Sequence, residues 1–552
     1  MNPYRQFAAA LFATSVLSAC STPDTVPMPA SPLVSKIETA IVETTTGKIE
    51  GRIENGQAVF KGIPYAAPPV GERRWKPPMP VAPWQDVKPA HDFGPACIQP
   101  TNRFQSIYAQ DIGATSEDCL SLNVWSPVGA KNAPVFVWIH GGALATGSSK
   151  ETLYEGSRLA RKGMVVVSIN YRVGVLGYLA HPELSNESPD GVSGNYGLLD
   201  QIAALQWVRD NITAFGGDAS NVTVAGESAG ALSVMYLLAA KPARGLFHKA
   251  IIESGYMITT PALKQKIYGE FSGEEVGTWL GEKIGAPNLA ALRALSGQEV
   301  TDKAAEIRFA PWGMIDGATL TQQLVDTFDA GDQAPVPILV GFNQGEIRSL
   351  PMLAPQAPAL AAEYEEAIRS KYLDLADEFL RLYPSSDMQE SLWANTRDQL
   401  YGWTSERIAR KHTASGQNVF LYLWDHGYPA ADEAGLHAFH ASELPYVFGT
   451  WDRSPPRWPK NPDTPQEHAF ADIVMSYWAS FARDGKPTAE NSPAWPAYGT
   501  EGHYMHFTDV ATPAQKLYPG MYELHEEAVQ RRRATNQSWN FNTGLWSPPL
   551  TK

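Results

Sequence analysis

The sequence predicts an α/β protein with a large, twisted, mostly parallel sheet, helices on both faces of that sheet, and helical insertions. Short apolar, β-rich runs alternate along the chain with segments of helical periodicity. Several runs are almost continuously apolar, as parallel strands covered on both faces are. The alternation is typical of strands joined by right-handed crossovers. The predicted strands are residues 122–125, 135–139, 165–169, 222–224, 250–252, 338–340 and 419–423.

Two features precede these strands. Thr46-Gly47-Lys48 separates two β-rich runs and therefore predicts a small antiparallel hairpin. Residues 62–69 read Gly-Ile-Pro-Tyr-Ala-Ala-Pro-Pro. Because proline has no backbone donor, this stretch predicts an ordered loop and not a helix or a central strand.

A helix is predicted over residues 196–214, with apolar side chains at helical spacing. Phe215-Gly216-Gly217 ends it, since glycine accepts the left-handed conformation that closes many helices. Residues 261–330 and 355–415 are richer in charge and helical pattern, which predicts insertions on the sheet. No low-complexity linker or internal repeat divides the chain, so residues 44–548 are predicted to form a single domain.

The composition describes a globular protein with a sizeable core. The 552 residues are 44% hydrophobic, 11% aromatic and 18% charged, with a formal net charge of −14. This charge argues against nucleic acid as a partner and against electrostatic docking on anionic lipid. Neutral or cationic small molecules remain as partners, and the oligomeric state is left open.

The N-terminus has the pattern of a targeting segment. Arg5 precedes a short apolar run that ends in Leu17-Ser18-Ala19-Cys20, which resembles a bacterial lipobox. Residues 1–20 are therefore predicted to be a lipoprotein signal peptide with Cys20 as the lipidated residue, the alternative being an ordinary secretory signal. Residues 21–43 form a Pro/Ser/Thr-rich tether. With Ser21 after the cysteine, the pattern predicts an exported, periplasmic or cell-surface protein anchored at the outer membrane.

Cys97 and Cys119 are the two cysteines besides Cys20. An even pair in an exported protein predicts a disulfide, and two buried free thiols are the alternative.

The central motif is Gly226-Glu227-Ser228-Ala229-Gly230. It follows the β-rich residues 222–224 and precedes a helix-compatible run at 231–240, the strand–turn–helix context of a G-x-S-x-G nucleophile elbow. The glycines are required because a Cβ at either position would collide with the close backbone. The turn predicts that the Ser228 hydroxyl is presented at the positive end of the next helix.

A second motif lies earlier in the chain. The buried strand at 135–139 runs into His140-Gly141-Gly142-Ala143. In the fold that carries the elbow, this turn supplies backbone N–H groups to an oxyanion hole, which must approach the substrate oxygen to about 3 Å. A simple turn at the end of a strand is the alternative.

Together these motifs resemble the type-B carboxylesterase/lipase family, cholinesterase-like enzymes with the α/β-hydrolase fold. Ser116-Glu-Asp-Cys-Leu together with the elbow is specific to that family, and the resemblance covers roughly residues 44–545. The matching stretches are residues 60–67, 116–125, 170–174, 194–201, 226–230, 341–346 and 440–449.

The resemblance implies a Ser-His-Glu triad of Ser228 as nucleophile, His440 as base and Glu346 as acid. The order Ser, acid, His is also the one expected of the fold. Asp316, in Ile-Asp-Gly, is the competing acid. The family has Asp-Glu-Gly where this chain has Gly345-Glu346-Ile347, which weakens the assignment of the acid. The other motif histidines, His140, His181 and His248, are predicted to be structural.

The resemblance also implies supporting groups. The backbone amides of Gly142, Ala143 and Ala229 would form the oxyanion hole. Glu227 would lie near the catalytic histidine, and Ser254 would support the acid. Cys97–Cys119 matches the family's first disulfide. Ala143 stands where the family commonly has a third glycine, so the methyl group narrows the hole and restricts φ.

The implied activity is hydrolysis of carboxylic esters through an acyl-enzyme, with no metal or organic cofactor. A bulky natural-product or xenobiotic ester is the substrate class that the resemblance favours. Two alternatives are open: a non-catalytic, neuroligin-like binding protein, and a hydrolase that acts mainly on amides or thioesters. A binding protein would lack a reactive nucleophile. A hydrolase that prefers amides would be recognised by the ratio of its turnover of an aryl ester to that of the corresponding anilide.

Overall fold

The sheet is parallel at its centre and antiparallel at its edges. The computed structural model describes residues 38–101 and 106–551. The strand order is β1-β2-β3-β7-β9-β8-β10-β11-β12-β13-β14-β15, with β4 beside β2 and a separate β5-β6 pair. These strands are β1 (Thr39–Thr44), β2 (Gly47–Glu54), β3 (Gln57–Pro64), β4 (Lys88–Pro89), β5 (Ala96–Cys97), β6 (Thr115–Ser116), β7 (Ser121–Pro127), β8 (Ala133–Ile139), β9 (Val165–Ile169), β10 (Gly217–Glu227), β11 (Lys249–Glu253), β12 (Ile338–Asn343), β13 (Val419–Trp424), β14 (His503–Phe507) and β15 (Ala511–Gln515).

The seven strands from β9 through β8 to β14 pair in parallel. All residues of β8, β9, β11, β12 and β13 are buried, which explains their largely apolar sequences. The α/β-hydrolase sheet predicted from the sequence is therefore confirmed. Each predicted strand lies within an observed one, and the observed strands are longer at one or both ends in every case but β9.

Helices cover the sheet and form the insertions. The predicted helix at 196–214 is an α-helix to Asn211 with a 3₁₀ turn to Phe215, ended by Gly216 at φ 80°. The helices are α1 (Ser157–Ala160), α2 (Gly174–Tyr178), α3 (Pro182–Glu187), α4 (Tyr196–Asn211), α5 (Ala229–Ala239), α6 (Gly273–Lys283), α7 (Leu289–Ala294), α8 (Gly297–Glu306), α9 (Leu324–Ala330), α10 (Ala361–Tyr372), α11 (Ala376–Leu382), α12 (Met388–Arg397), α13 (Trp403–Ala414), α14 (Pro429–Glu433), α15 (Leu444–Val447), α16 (Pro465–Asp484) and α17 (Met521–Ala534).

The N-terminal region contains one confirmed and one wrong prediction. Strands β1 and β2 form the predicted antiparallel hairpin. The expectation of a loop from residue 62 is wrong for Gly62-Ile63-Pro64, which lie in β3. The register against β7 shifts between Phe60 and Ile63, and Pro64 is the last residue of the strand. A bulge and a strand end are positions where proline and glycine are tolerated.

In the part of the chain that the structure describes, the residues from Thr39 onward form one compact unit. The signal peptide, Cys20 and most of the tether lie outside the described residues. The prediction of a tether is wrong for residues 39–43, which pair with β2 as part of β1. Cys97 and Cys119, the ends of the segment between β5 and β7, are joined by the predicted disulfide. Among the helices of residues 38–101 and 106–551, none is long and apolar enough to cross a membrane.

Candidate active site

Ser228 occupies the sharp turn between β10 and α5. Its backbone lies at φ 56° and ψ −120°, and its N–H donates to the carbonyl of Glu253 on the neighbouring strand β11 at 2.9 Å. A Cβ at Gly226 would lie 2.5 Å from the carbonyl carbon of Gly230, and one at Gly230 would lie 2.1 Å from the carbonyl oxygen of Ile139. Both glycines are therefore required by the close backbone, as the sequence predicts. The Ser228 side chain is half-buried at the beginning of α5.

The glycine turn after β8 lies against the elbow. A Cβ on Gly141 would be 3.3 Å from Cβ of Ser228 and 3.0 Å from Oε2 of Glu227. Gly142 and Ala143 follow with φ 101° and φ 55°, and both are exposed. Their N–H groups donate no hydrogen bond to any part of the chain that the structure describes. Two free donors thus lie near Ser228, and Ala143 adopts a backbone conformation that favours glycine.

Glu346 is fixed in the loop after β12 and is completely buried. Its Oε1 accepts hydrogen bonds from the Ser254 hydroxyl at 2.6 Å and from the backbone N–H of Asn343 at 2.8 Å. Its Oε2 bonds to Nδ1 of His440. One carboxylate oxygen is thus anchored by the protein while the other orients the imidazole. Ser254 supports the acid in the way that the family resemblance implies.

His440 lies in the loop before α15, with Glu346 on one side and Glu227 on the other. Its Nε2 is 3.0 Å from Oε1 of Glu227, an ion-pair distance without hydrogen-bond alignment. No hydrogen bond joins the Ser228 hydroxyl to another described residue. The structure therefore brings the imidazole to the residue that precedes Ser228 in the elbow, with its Nε2 facing Glu227.

Two carboxylates control the charge on this imidazole. Burial alone would lower the pKa of His440, but Glu227 and Glu346 together raise it well above its usual value. The charged imidazole is therefore stabilised at both ring nitrogens.

Two further buried glutamates, which the sequence analysis did not single out, surround the site. Glu253 ends β11, and one of its oxygens accepts from the Trp478 indole at 2.9 Å. Glu443 begins the turn to α15 and accepts from the Asn343 side chain. Burial raises the pKa of Glu253 to about 8, and repulsion from Glu227 adds to the shift. Burial also raises the pKa of Glu443 well above its usual value, with added repulsion from Glu253 and Glu227. A raised pKa favours the neutral form of each of these carboxyl groups.

Tyr108 connects the loop closed by the disulfide to the histidine. Its hydroxyl lies 3.0 Å from the carbonyl oxygen of His440 and 2.7 Å from the Ser349 hydroxyl. Its ring meets the imidazole edge-to-face at 6.3 Å. An aromatic residue between Cys97 and Cys119 is the only sequence signal for this contact, so sequence reasoning missed it.

The competing acid, Asp316, is not at the site. Its Oδ1 accepts the backbone N–H groups of Ala318, Thr319 and Leu320 at 3.0, 2.7 and 3.0 Å, so it shapes a turn. His140 is buried, and burial lowers its pKa to about 4.

The other two motif histidines are also held by structural contacts. His181 caps α3, and His248 accepts the N–H of Val222 at 3.2 Å. Within residues 38–101 and 106–551, no cluster of His, Cys, Asp and Glu has the arrangement of a metal site.

Comparison with known proteins gives one consistent answer. The profile of the carboxylesterase family matches residues 38–525. The chain is 36% identical over 483 residues to a fumonisin B1 esterase of Sphingopyxis macrogoltabida, covering 84% of this chain and 85% of that protein. It is 38% identical over 477 residues to a para-nitrobenzyl esterase of Bacillus subtilis (strain 168), covering 84% and 93%.

Solved structures agree with these relatives. A PNB esterase structure superposes with a TM-score of 0.76 at 34% identity, covering 88% of this chain and 99% of that one. A carboxylesterase of Geobacillus stearothermophilus gives 0.74 at 31% identity, with coverage of 88% and 99%. The elbow, the adjacent glycine turn and the buried acid beside His440 lie on a fold shared with named esterases. The chain therefore belongs to the carboxylesterase family and is a carboxylic ester hydrolase.

Proposed function

We propose that Ser228, His440 and Glu346 form the catalytic triad of this esterase. The observation that carries the proposal is the buried chain of contacts from Ser254 through Glu346 to His440. It ends at Glu227, the residue directly before the strained elbow residue Ser228. Glu346 holds the imidazole by Nδ1, which leaves Nε2 as the nitrogen that exchanges protons.

The reaction proceeds by acyl transfer. Nε2 of His440 removes the hydroxyl proton of Ser228 as its oxygen attacks the ester carbonyl. His440 then donates that proton to the departing alcohol, which leaves an acyl-serine. Water repeats the sequence and releases the carboxylic acid. Because Glu227 also lies at Nε2, it stabilises the imidazolium that exists between these two proton transfers.

The amides of Gly142, Ala143 and Ala229 are proposed to hold the oxyanion. The first two N–H groups are free and exposed next to Ser228, and Ala229 opens α5 directly after it. Each such donor contributes about 2.7–4 kcal/mol of transition-state stabilisation in a comparable site.

The substrate is proposed to be a bulky natural-product or xenobiotic ester. This rests on the printed names of two relatives, a fumonisin B1 esterase and a para-nitrobenzyl esterase. The proposal therefore concerns a substrate class.

The triad is tested with Ser228→Ala. Hydrolysis of p-nitrophenyl butanoate should fall by about 10⁶-fold, because the nucleophile acts as a unit with its base. Ser233→Ala, five residues further along α5, is the matched control and should keep its activity. Diisopropyl fluorophosphate should label the wild type and the control but not Ser228→Ala. Labelling of Ser228→Ala at another serine would show that the elbow is misassigned.

Export and lipidation are proposed from the lipobox at Cys20. The Cys97–Cys119 disulfide supports export, since such bonds persist in oxidising compartments. Lipidation of Cys20 would anchor the enzyme in the outer membrane through the tether.

A further inference from the structure

Tyr401, which lies next to His440, and Tyr256, which packs on Tyr401, have hydroxyls that the described part of the protein does not use. The Tyr401 ring lies 5.5 Å from the imidazole, and the Tyr256 ring meets Tyr401 edge-to-face at 6.1 Å. Tyr401 is 2% exposed and Tyr256 7%. Neither hydroxyl bonds to a residue in the described part of the chain.

These two hydroxyls differ from three other unbonded phenols of the core. The hydroxyls of Tyr178, Tyr236 and Tyr422 are closed off from solvent, whereas those of Tyr256 and Tyr401 are not. The small exposed fraction of each of these two side chains therefore includes its polar end. Because Tyr401 lies against His440, the space that this hydroxyl reaches belongs to the active site.

The local backbone explains why Tyr401 points to this place. It lies in a single π-helical turn, Asp398–Gly402, inserted between α12 and α13. Such turns are rare and recur at functional sites. Tyr256 follows Ser254 after β11, and this segment is fixed by the Thr404 hydroxyl, which accepts the Met257 N–H at 2.8 Å. Both rings are thus held by rigid elements.

An unbonded hydroxyl in a buried site favours a ligand that completes its hydrogen bonding. The ligand group is expected to be uncharged. Repulsion from Glu346 and Glu227 helps to raise the pKa of Tyr401, after burial as the main cause, so the local potential is negative and opposes a carboxylate. A neutral ether, carbonyl or hydroxyl oxygen meets both conditions.

We propose that the hydroxyls of Tyr256 and Tyr401 bind a neutral oxygen acceptor that the substrate carries a few bonds from the scissile ester. The preferred substrates are then esters with a second oxygen in the acyl or alcohol part, in place of plain hydrocarbon esters. This proposal rests on the proposed function, because it takes Ser228 and His440 as the reacting groups.

The test compares isosteric substrates. The acyl pair is p-nitrophenyl 3-methoxypropanoate and p-nitrophenyl pentanoate, and the alcohol pair is 2-methoxyethyl butanoate and butyl butanoate. In each pair one CH₂ is exchanged for an ether oxygen. The measured quantity is the ratio of kcat/KM for the ether to that for the hydrocarbon, in wild type, Tyr256→Phe, Tyr401→Phe and the double variant. Differences in intrinsic reactivity cancel when a variant is compared with wild type.

We expect the ratio to fall about 3- to 10-fold in the variants for at least one pair, as loss of one or two neutral hydrogen bonds predicts. The pair that responds identifies the side of the ester that carries the acceptor. Tyr178→Phe, which removes a hydroxyl closed off from solvent, should leave both ratios unchanged. The Phe variants lose no internal hydrogen bond, so their folding is expected to match wild type by circular dichroism.

Two outcomes would overturn the inference while leaving the esterase intact. In the first, both ratios stay at their wild-type values because neither substrate is affected. In the second, kcat/KM falls equally for the ether and the hydrocarbon substrate, which would mean that the tyrosines support the reacting groups and do not bind the second oxygen. Failure of the proposed function looks different, because Ser228→Ala would then retain its activity on all four esters.

Discussion

Glu346 is the carboxylate that holds the imidazole of His440 at Nδ1. Its side chain is buried and bonded at both oxygens. Replacing it by an amide should leave the imidazole in the wrong tautomer, as in other triads. We expect Glu346→Gln to lower kcat by roughly 10⁴-fold.

Asp316→Asn is the matched comparison for that variant. Its carboxylate accepts three backbone N–H groups in a turn away from His440, so its loss should cost about 1 kcal/mol of folding stability and little rate. Single-turnover kinetics and thermal unfolding separate the two effects. A larger rate loss in Asp316→Asn would transfer the role of acid to that residue.

We expect Glu227 to influence the pH range of activity through His440. The imidazole must be neutral to remove a proton, so a raised pKa means that activity is lost as pH falls through that value. Glu227→Gln removes one of the two carboxylates that stabilise the charged form. The pKa of His440 should fall, and the acidic limb of the kcat/KM profile should move to lower pH.

The profile is measured by chromatography of the released acid, because the p-nitrophenol signal itself changes with pH. Glu274→Gln, at a distant surface helix, is the control and should leave the limb in place. A limb that shifts to higher pH in Glu227→Gln would contradict the assigned influence of this carboxylate.

Residues of the site were predictable from the sequence to the extent that they lie in local patterns. Ser228 and the turn glycines lie in short motifs, and the motif alone was enough to predict the turn, although Ile139 and Glu253 also contact it. Glu253 and Glu443 are single charges in short apolar runs, and nothing local indicates that the fold brings both close to Glu227. The pairing of Tyr256 with Tyr401 could not be predicted, because the two residues lie more than a hundred positions apart in the sequence.

At the scale of elements, the loop between β5 and β7 depends on the disulfide. The bond closes a separation of 22 residues, and this loop carries Tyr108 to the backbone of His440. Replacing both cysteines by serine should lower the free energy of unfolding by about 3 kcal/mol in the chain-entropy model.

Denaturant unfolding under oxidising conditions measures this loss. The same experiment with reductant is its control, since the wild type should then approach the double variant. Equal stability of the two proteins under oxidising conditions would mean that the bond does not constrain the unfolded chain.

The prediction of secondary structure was correct for strands that are buried on both faces and wrong at an irregular strand end. Continuous apolar runs identified the parallel strands because both faces of each are covered. Proline misled the prediction at residues 62–64 because a bulge and a strand end tolerate it. The π-helical turn Asp398–Gly402 has no sequence signal, since it arises where two helices meet with one extra residue.

For the whole molecule, the proposed location depends on one residue, Cys20. A net charge of −14 opposes docking on anionic lipid, so a lipid on Cys20 would be the sole means of attachment proposed for this chain. Expressed with its own signal in a bacterial host, Cys20→Ser should move the enzyme from the membrane to the soluble fraction. Thr22→Ala is the control and should stay with the membrane. Unchanged fractionation of Cys20→Ser would refute the lipid anchor.

The loop that carries Glu346 and the loop that carries His440 are joined directly by their backbones. The N–H of Gly345 donates to the carbonyl of Ala438 at 2.8 Å, and Gly345 pairs with Phe439 as an isolated parallel bridge. Glu346 and His440 each directly follow one residue of this bridge. We therefore expect thermal motion to displace Glu346 and His440 together, while Ser228 moves with the end of β10. If the structure becomes more mobile, we expect the distance between the Ser228 hydroxyl and the His440 imidazole to vary before the contact between Glu346 and His440 does.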